Sequence, residues 1–531
     1  MTNYPILNEI ANLWSKQLKK PQHKSLAVAY RRASIGLAIG LALSGCAVGP
    51  DFKTPDAPAT ANGSTYTSKP MPAQTDAARG FAGDAQRFVA GKDIPADWWT
   101  VFHSAELDRL VRAAFEHNPS MAGAQAALRQ AQENLKAEAG NLLYPSVTGQ
   151  LGAQRERASA VSTFTPSGEV FNVYSGSLNV SYTLDIFGAS RRELEGLRAA
   201  VDYQRYQLDA TYITLSSNVV LTAIRDASAR AQLKATREVL DSQEKELAVI
   251  EKQFKVGAIP RSTLLTQRNQ VAQTRASIPA LEKALAQADH QLSVYVGKLP
   301  SESGMPEFEL TSLQLPQELP VSLSSNLVRQ RPDIRASEAL LHEASAQVGV
   351  ATANQYPQIS LTGSYGTQAL KTGQFFNGNS AYWSFGAGLT APIFNAGSLS
   401  AKRRAAVAAL EQADAQYRTT VLSAFQNVAD SLRALDSDAT TLKEQVEVES
   451  LARESMDLST QQYRLGGISY LVLLDAERNY QQAHVALVQA QAARYSDTAA
   501  LFQALGGGWW NEPALADATA GASGAASEKN N

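Results

Sequence analysis

The sequence predicts a mainly α-helical chain with membrane-type β-strands: a tandem duplication of a long-helix unit that supplies two strands per copy, four in all. Three observations predict it. First, the chain repeats itself. Tyr144-Pro145-Ser146-Val147 matches Tyr356-Pro357-Gln358-Ile359, Phe187-Gly188-Ala189 matches Phe394 to Gly397, and Phe254-Lys255-Val256-Gly257-Ala258-Ile259 matches Tyr463-Arg464-Leu465-Gly466-Gly467-Ile468. All three recur in the same order at a nearly constant offset of about 210 residues, too long for a solenoid repeat, so each copy is a structural half. Second, Ser190–Val256 holds one glycine and no proline, and Ser398–Leu465 holds neither. Third, four short segments alternate apolar with small polar residues, the pattern of a two-faced strand.

The N-terminus carries a processing signal. Arg31-Arg32 precede the apolar run Ala33–Leu43, which ends in Leu43-Ser44-Gly45-Cys46. That run is about 11 residues long, against the ~20 needed to span a bilayer as a helix, and suits a signal-peptide core. Small residues before the single cysteine resemble a bacterial lipoprotein signal. This implies that 1–45 is removed, that Cys46 becomes the acylated first residue, and, with Ala47 after it, that the destination is the outer membrane. The remaining chain contains no apolar stretch of 18 residues, so any membrane crossing must use β-strands.

Each half reads as helix, two strands, very long helix, tight tip and returning helix. At 1.5 Å per residue each proline-free run extends for roughly 100 Å. Leu233, Leu240, Leu247 and Phe254 recur every seven residues, as do Val421, Val428, Leu435 and Leu442, which predicts coiled-coil packing. The partners are shorter helices laid end to end beside each long one: Ser120–Leu143 with Arg261–Lys298, and Asp333–Gln355 with Ser469–Leu505. Pro279 is expected to kink its helix. The tail Ala514–Asn531 is Ala-, Gly-, Ser- and Asn-rich and is expected to be disordered.

The strands are centred on Val147/Leu151, Tyr174–Leu184, Ile359/Leu361/Tyr365 and Trp383–Thr390. In the second, Leu178, Val180, Tyr182 and Leu184 alternate with Ser177, Asn179, Ser181 and Thr183, the signature of an outer-membrane strand. Tyr144, Tyr182, Phe187, Tyr382, Trp383 and Phe394 lie near strand ends, where aromatic rings favour the membrane interface. Four strands cannot close a barrel, the smallest of which use about eight, so several chains must share one; three chains supply twelve strands.

Composition excludes other classes. The 531 residues include 48 basic and 50 acidic side chains, with no basic excess for nucleic-acid binding. One cysteine forbids an internal disulfide, and the six histidines never fall at the i, i+4 spacing of a helical zinc site. Neither a phosphate-binding GxxxxGK[ST] loop nor a nucleophile elbow is present. An enzyme is not expected, nor any cofactor beyond a covalent lipid on Cys46.

Taken together, Cys46-Ala47-Val48-Gly49-Pro50-Asp51-Phe52, Trp98-Trp99 before Phe102, Asn118-Pro119, Arg331-Pro332-Asp333-Ile334, the paired tips and Leu505-Gly506-Gly507-Gly508-Trp509 resemble the TolC-like outer-membrane factors. The likeness is closest to the lipoprotein efflux subgroup (NodT type, OprM-like) that serves tripartite RND pumps. It implies a homotrimer with a 12-stranded outer-membrane barrel continued by a helical tunnel across the periplasm of a Gram-negative bacterium. It implies partners in a periplasmic adaptor protein, an inner-membrane RND transporter and outer-membrane lipid. The exported class is drugs or other small molecules, with a type I protein-secretion duct as the alternative. On this reading 46–100 is the lipidated segment and equatorial belt, 101–300 the first repeat, 301–326 an equatorial linker, 327–508 the second repeat and 509–531 a tail. The resemblance assigns Val256, Gly257, Ala258, Leu465, Gly466 and Gly467 to adaptor-contacting tips. It assigns Leu471 and Asp475, which share one helix face at i, i+4, to rings closing the periplasmic entrance, and Tyr463 and Arg464 to contacts that hold helices together there.

Overall fold

The computed structural model describes residues 47–56, 66–157, 170–302, 304–322 and 324–511. Cys46 and the tail 514–531 lie outside them. The chain divides into two units, a sheet unit built from Val147–Arg191 and Thr352–Ile393, and a helical unit from Gly49–Ser146, Arg192–Ala351 and Phe394 onward.

The helical unit contains α1 (Ala105–His117), α2 (Pro119–Leu143), α3 (Ala189–Lys255), α4 (Arg261–Tyr295), α5 (Ser324–Gln330), α6 (Pro332–Ala353), α7 (Ser398–Arg464) and α8 (Tyr470–Ala504). The long helices α3 and α7 each have 67 residues, and the four expected short partners are α2, α4, α6 and α8. α4 stops at Tyr295, short of the expected Lys298, because the chain turns through Gly297 with φ +73°. The helix runs unbroken past Pro279.

The short helices meet end to end through a polar joint in each half. Asn118 caps α2 by accepting from the Ser120 amide at 2.8 Å, and its side-chain amide donates to the Tyr295 carbonyl at the end of α4, 2.9 Å. Pro119 follows as the first helical residue, where its missing N–H costs nothing. In the second half Arg331 donates to the Ala504 carbonyl at the end of α8, 2.9 Å, and Pro332 opens α6. A Cβ on Gly506 would lie 2.7 Å from the Gln330 carbonyl oxygen, so only glycine admits this approach.

The heptad positions Val421, Val428, Leu435 and Leu442 are all buried, and so is Leu233. The main core gathers around Trp98, Trp99 and Phe102, a 3-10 turn whose Trp98 stacks on Phe502 at 5.5 Å. Beside it, β1 (Arg87–Ala90) pairs in parallel with β4 (Glu318–Val321). The buried Arg494 of α8 ties down the chain ahead of β1: its guanidinium donates to the carbonyls of Ala82 and Asp84, at 2.5 and 3.0 Å, and to Gln86 Oε1 at 2.9 Å.

The sheet unit contains β2 (Ser146–Arg157), β3 (Val170–Leu184), β5 (Gln358–Ala369) and β6 (Ala381–Thr390), in the order β2-β3-β5-β6. β5 is antiparallel to β3 and to β6. The strands from the two halves therefore meet in the middle, and β2 and β6 form the edges.

Candidate channel strands, tips and entrance

Register sorts the sheet into two chemically opposite faces. One carries the rows Leu178–Tyr365–Trp383, Val180–Gly363–Phe385, Tyr182–Leu361–Ala387 and Leu184–Ile359–Leu389. The other carries Asn179–Ser364–Ser384, Ser181–Thr362–Gly386 and Thr183–Ser360–Gly388, with the Ser364 and Ser384 hydroxyls hydrogen-bonded at 2.7 Å. Because successive side chains alternate across a strand, one slip in register would mix the faces. Leu178, Tyr365, Trp383, Phe385 and Leu389 are all exposed. An apolar band this continuous and uncovered belongs in contact with lipid or another chain.

Both hairpin tips close by the same helix C-terminal motif. At the first, the Ala258 amide donates to the Gln253 carbonyl at 2.9 Å and Gly257 has φ +75°. At the second, the Gly467 amide donates to the Gln462 carbonyl at 2.8 Å and Gly466 has φ +74°. The six-to-one bond with a left-handed glycine is the Schellman arrangement, which needs glycine because a Cβ opposes that φ. Ile259 and Ile468 turn inward onto Ile250, Leu264, Tyr470 and Leu473. Val256 and Leu465 remain 80% and 88% exposed, so the outermost residues of each tip are apolar and bare.

Beyond the second tip, α8 has two faces. Tyr470, Leu473 and Ala476 are buried, while Leu471, Val472, Asp475, Arg478 and Asn479 are exposed. Leu471 and Asp475 thus share a face, as their spacing requires. Asp475 is not bare: Arg478 donates to it at 2.5 Å and Asn479 at 3.4 Å. Arg478 stands at i+3 from Asp475, the spacing of a helical ion pair. Tyr463 is half-buried, its ring 5.5 Å from Tyr470 across the tip; Arg464 lies exposed.

Behind the exposed face lies a polar layer that periodicity does not reveal. The Tyr470 hydroxyl donates to Gln267 of α4, and Gln267 Nε2 donates to the Gln243 carbonyl of α3 at 3.1 Å. Glu477 of α8 faces Glu246 of α3 in this layer. Burial and the neighbouring carboxyl push Glu477 up to about 8, and burial raises Glu246.

Among the described residues no group of three or more His, Cys, Asp or Glu could hold a metal, and no helix is long and apolar enough to cross a membrane.

Comparison with known proteins agrees with this geometry. A family model described as "Outer membrane efflux protein" matches residues 110–298 and 323–507. The chain is 31% identical over 453 residues to the pyoverdine export outer membrane protein OpmQ of Pseudomonas aeruginosa, covering 83% of this chain and 94% of that one. It is 30% identical over 484 residues to the cation efflux system protein CusC of Escherichia coli, covering 89% and 97%. The fold resembles the solved outer-membrane channel OprN with a TM-score of 0.79 and 28% identity, covering 87% of this chain and 100% of that one.

Proposed function

The chain belongs to the outer membrane efflux protein family, and we propose that three copies form the exit duct of a tripartite pump, with the entrance closed around Leu471 and Asp475. It is an outer-membrane channel and not an enzyme. One observation supports the shared barrel above all: the four-stranded sheet has one apolar face, one polar face and two edge strands. Edge strands left unpaired are an aggregation hazard, and joining β6 of one copy to β2 of the next satisfies both. Three sheets then close with twelve strands around a polar lumen, within the range of membrane barrels.

The duct is passive, because the sequence holds no nucleotide-binding loop. The pump supplies the energy and selects the cargo. We assign that role to an inner-membrane RND transporter, joined through a periplasmic adaptor that grips Val256, Gly257, Ala258, Leu465, Gly466 and Gly467. The bare side chains at both Schellman turns support this assignment: they are apolar, rigidly presented and fill no core of their own. A lipid on Cys46 would add a second hold on the outer membrane to that of the barrel.

At the entrance, three Leu471 side chains would form a dry constriction and three Asp475–Arg478 pairs a charged ring, with Tyr463 and Arg464 bracing the tip. The Val256→Asp, Leu465→Asp double variant tests the docking assignment in a strain lacking the native chain. It should assemble in the outer membrane at the normal level yet fail to restore resistance to pump substrates. Full resistance would remove the tips from the docking surface.

A further inference from the structure

The carboxyl pair Glu246–Glu477 joins the two repeats just inside the entrance, and it differs from every exposed ion pair on these helices. Its members come from α3 and α8. One helical turn toward the tips, Ile250 and Leu473 close the same seam with Leu264 and Tyr470 in a dry cluster. Farther from the tips, the Gln489 side-chain amide donates to Gln232 Oε1 at 3.2 Å, so α3 and α8 stay adjacent on both sides of the pair. Glu477 Oε2 is buried without a hydrogen-bond partner, and so are both side-chain polar atoms of Gln243, one turn from Glu246. Two ionised carboxylates cannot share such a place, but a carboxylic acid donating to a carboxylate can.

The titratable groups facing the pair are Tyr463 from α7 and Tyr470 from α8. α4 presents the neutral Gln267. Among the described residues neither glutamate is held by an ion pair: the neighbouring cations Lys245 and Arg478 pair with Asp241 and Asp475 instead. Two like charges buried there would repel, and one shared proton removes the repulsion.

We propose that Glu246 and Glu477 form a proton-held clasp between the two helical hairpins, which positions α8 in the closed arrangement and releases it when the shared proton is lost. This rests on the reading of α8 as the gate helix. The sign follows from linkage. The clasped state binds the proton more tightly than a state with both carboxyls in water. Raising the pH from the ordinary glutamate range through about 8, the value to which Glu477 is pushed, therefore favours release. Acid locks the clasp.

The test uses the purified full-length homotrimer in lipid bilayers. Single-channel conductance is read at about pH 6 and about pH 9, alongside the distance between spin labels on Val256→Cys and Leu465→Cys in a Cys46→Ser background. In the wild type, the tip distance should lengthen and the conductance rise several-fold at the higher pH. Glu477→Gln keeps a donor without a titrating proton, so both readouts should stay at their low-pH values throughout. Should that variant fail to assemble, Glu246→Gln, which leaves only the Glu477 carboxyl, replaces it. Tips that separate while the conductance stays flat would uphold the clasp and remove Leu471 and Asp475 from the gate. A tip distance indifferent to pH in the wild type, or a pH response surviving in the Gln variant, would overturn the clasp.

Discussion

Arg331 donates to the carbonyl of Ala504 at 2.9 Å, and at the corresponding joint in the first repeat Asn118 donates to the carbonyl of Tyr295 at the same distance. Different side chains thus do one job, giving the last carbonyl of one short helix a donor from the residue just ahead of the other. Asp333 holds the guanidinium in place at 2.6 and 3.0 Å. Arg331→Ala leaves the buried end of α8 short of a donor and Asp333 without its cation. A loss of about 2–3 kcal/mol follows for a hydrogen bond to a charged group. The thermal unfolding of the detergent-purified protein should shift down by several degrees, and Lys at 331 should not rescue it, lacking the planar fork.

The two faces of the sheet respond oppositely to charge. Leu178→Arg places a cation on the apolar face beside Tyr365, at a cost of about 2–4 kcal/mol near the bilayer midplane. Asn179→Arg puts the same cation among Ser364 and Ser384. Outer-membrane fractionation should show the first variant depleted and the second at the wild-type level, with altered ion selectivity.

At the entrance, Asp475→Ala and Leu471→Ser should each raise the conductance of the purified trimer. Arg478→Ala should shift its cation selectivity, because Asp475 then loses its 2.5 Å partner. Folding should be little changed, since an exposed pair of this kind contributes about 0–1 kcal/mol. Unchanged conductance in the Asp475 and Leu471 variants would remove both from the gate.

Stability should fall as pH rises from about 4 toward neutrality. Burial pushes Asp209 up to about 7 against the pull of Arg205. A carboxyl raised in the folded state binds its proton more tightly there than in the unfolded chain. Its contribution is neutral below the usual aspartate value of about 4, declines by at most ~1.4 kcal/mol per pH unit up to about 7, and is flat above. Asp209→Asn should flatten that part of the profile, measured as the melting temperature between about pH 4 and pH 8.

Much of this architecture was legible in the sequence because its signals are periodic. Seven-residue spacing located α7 and the buried Val421, Val428, Leu435 and Leu442, and two-residue spacing sorted Leu178 from Asn179. The left-handed glycines at 257 and 466 marked the tips. What stayed hidden depends on contacts between distant residues. β1 and β4 have four residues each, and β4 includes Pro320, so neither announces a strand until the other lies beside it. Arg494 and Glu477 read as ordinary polar residues of a solvated helix. Only the chain around Ala82–Gln86 and the opposing Glu246 show that each is part of a buried network.

The most direct test of the shared barrel is the native mass of the protein extracted from outer membranes in detergent. A trimer is the expected result, because β2 and β6 of one chain need partners that only neighbouring copies supply. A stable monomer would leave four strands unable to close, and would contradict the duct.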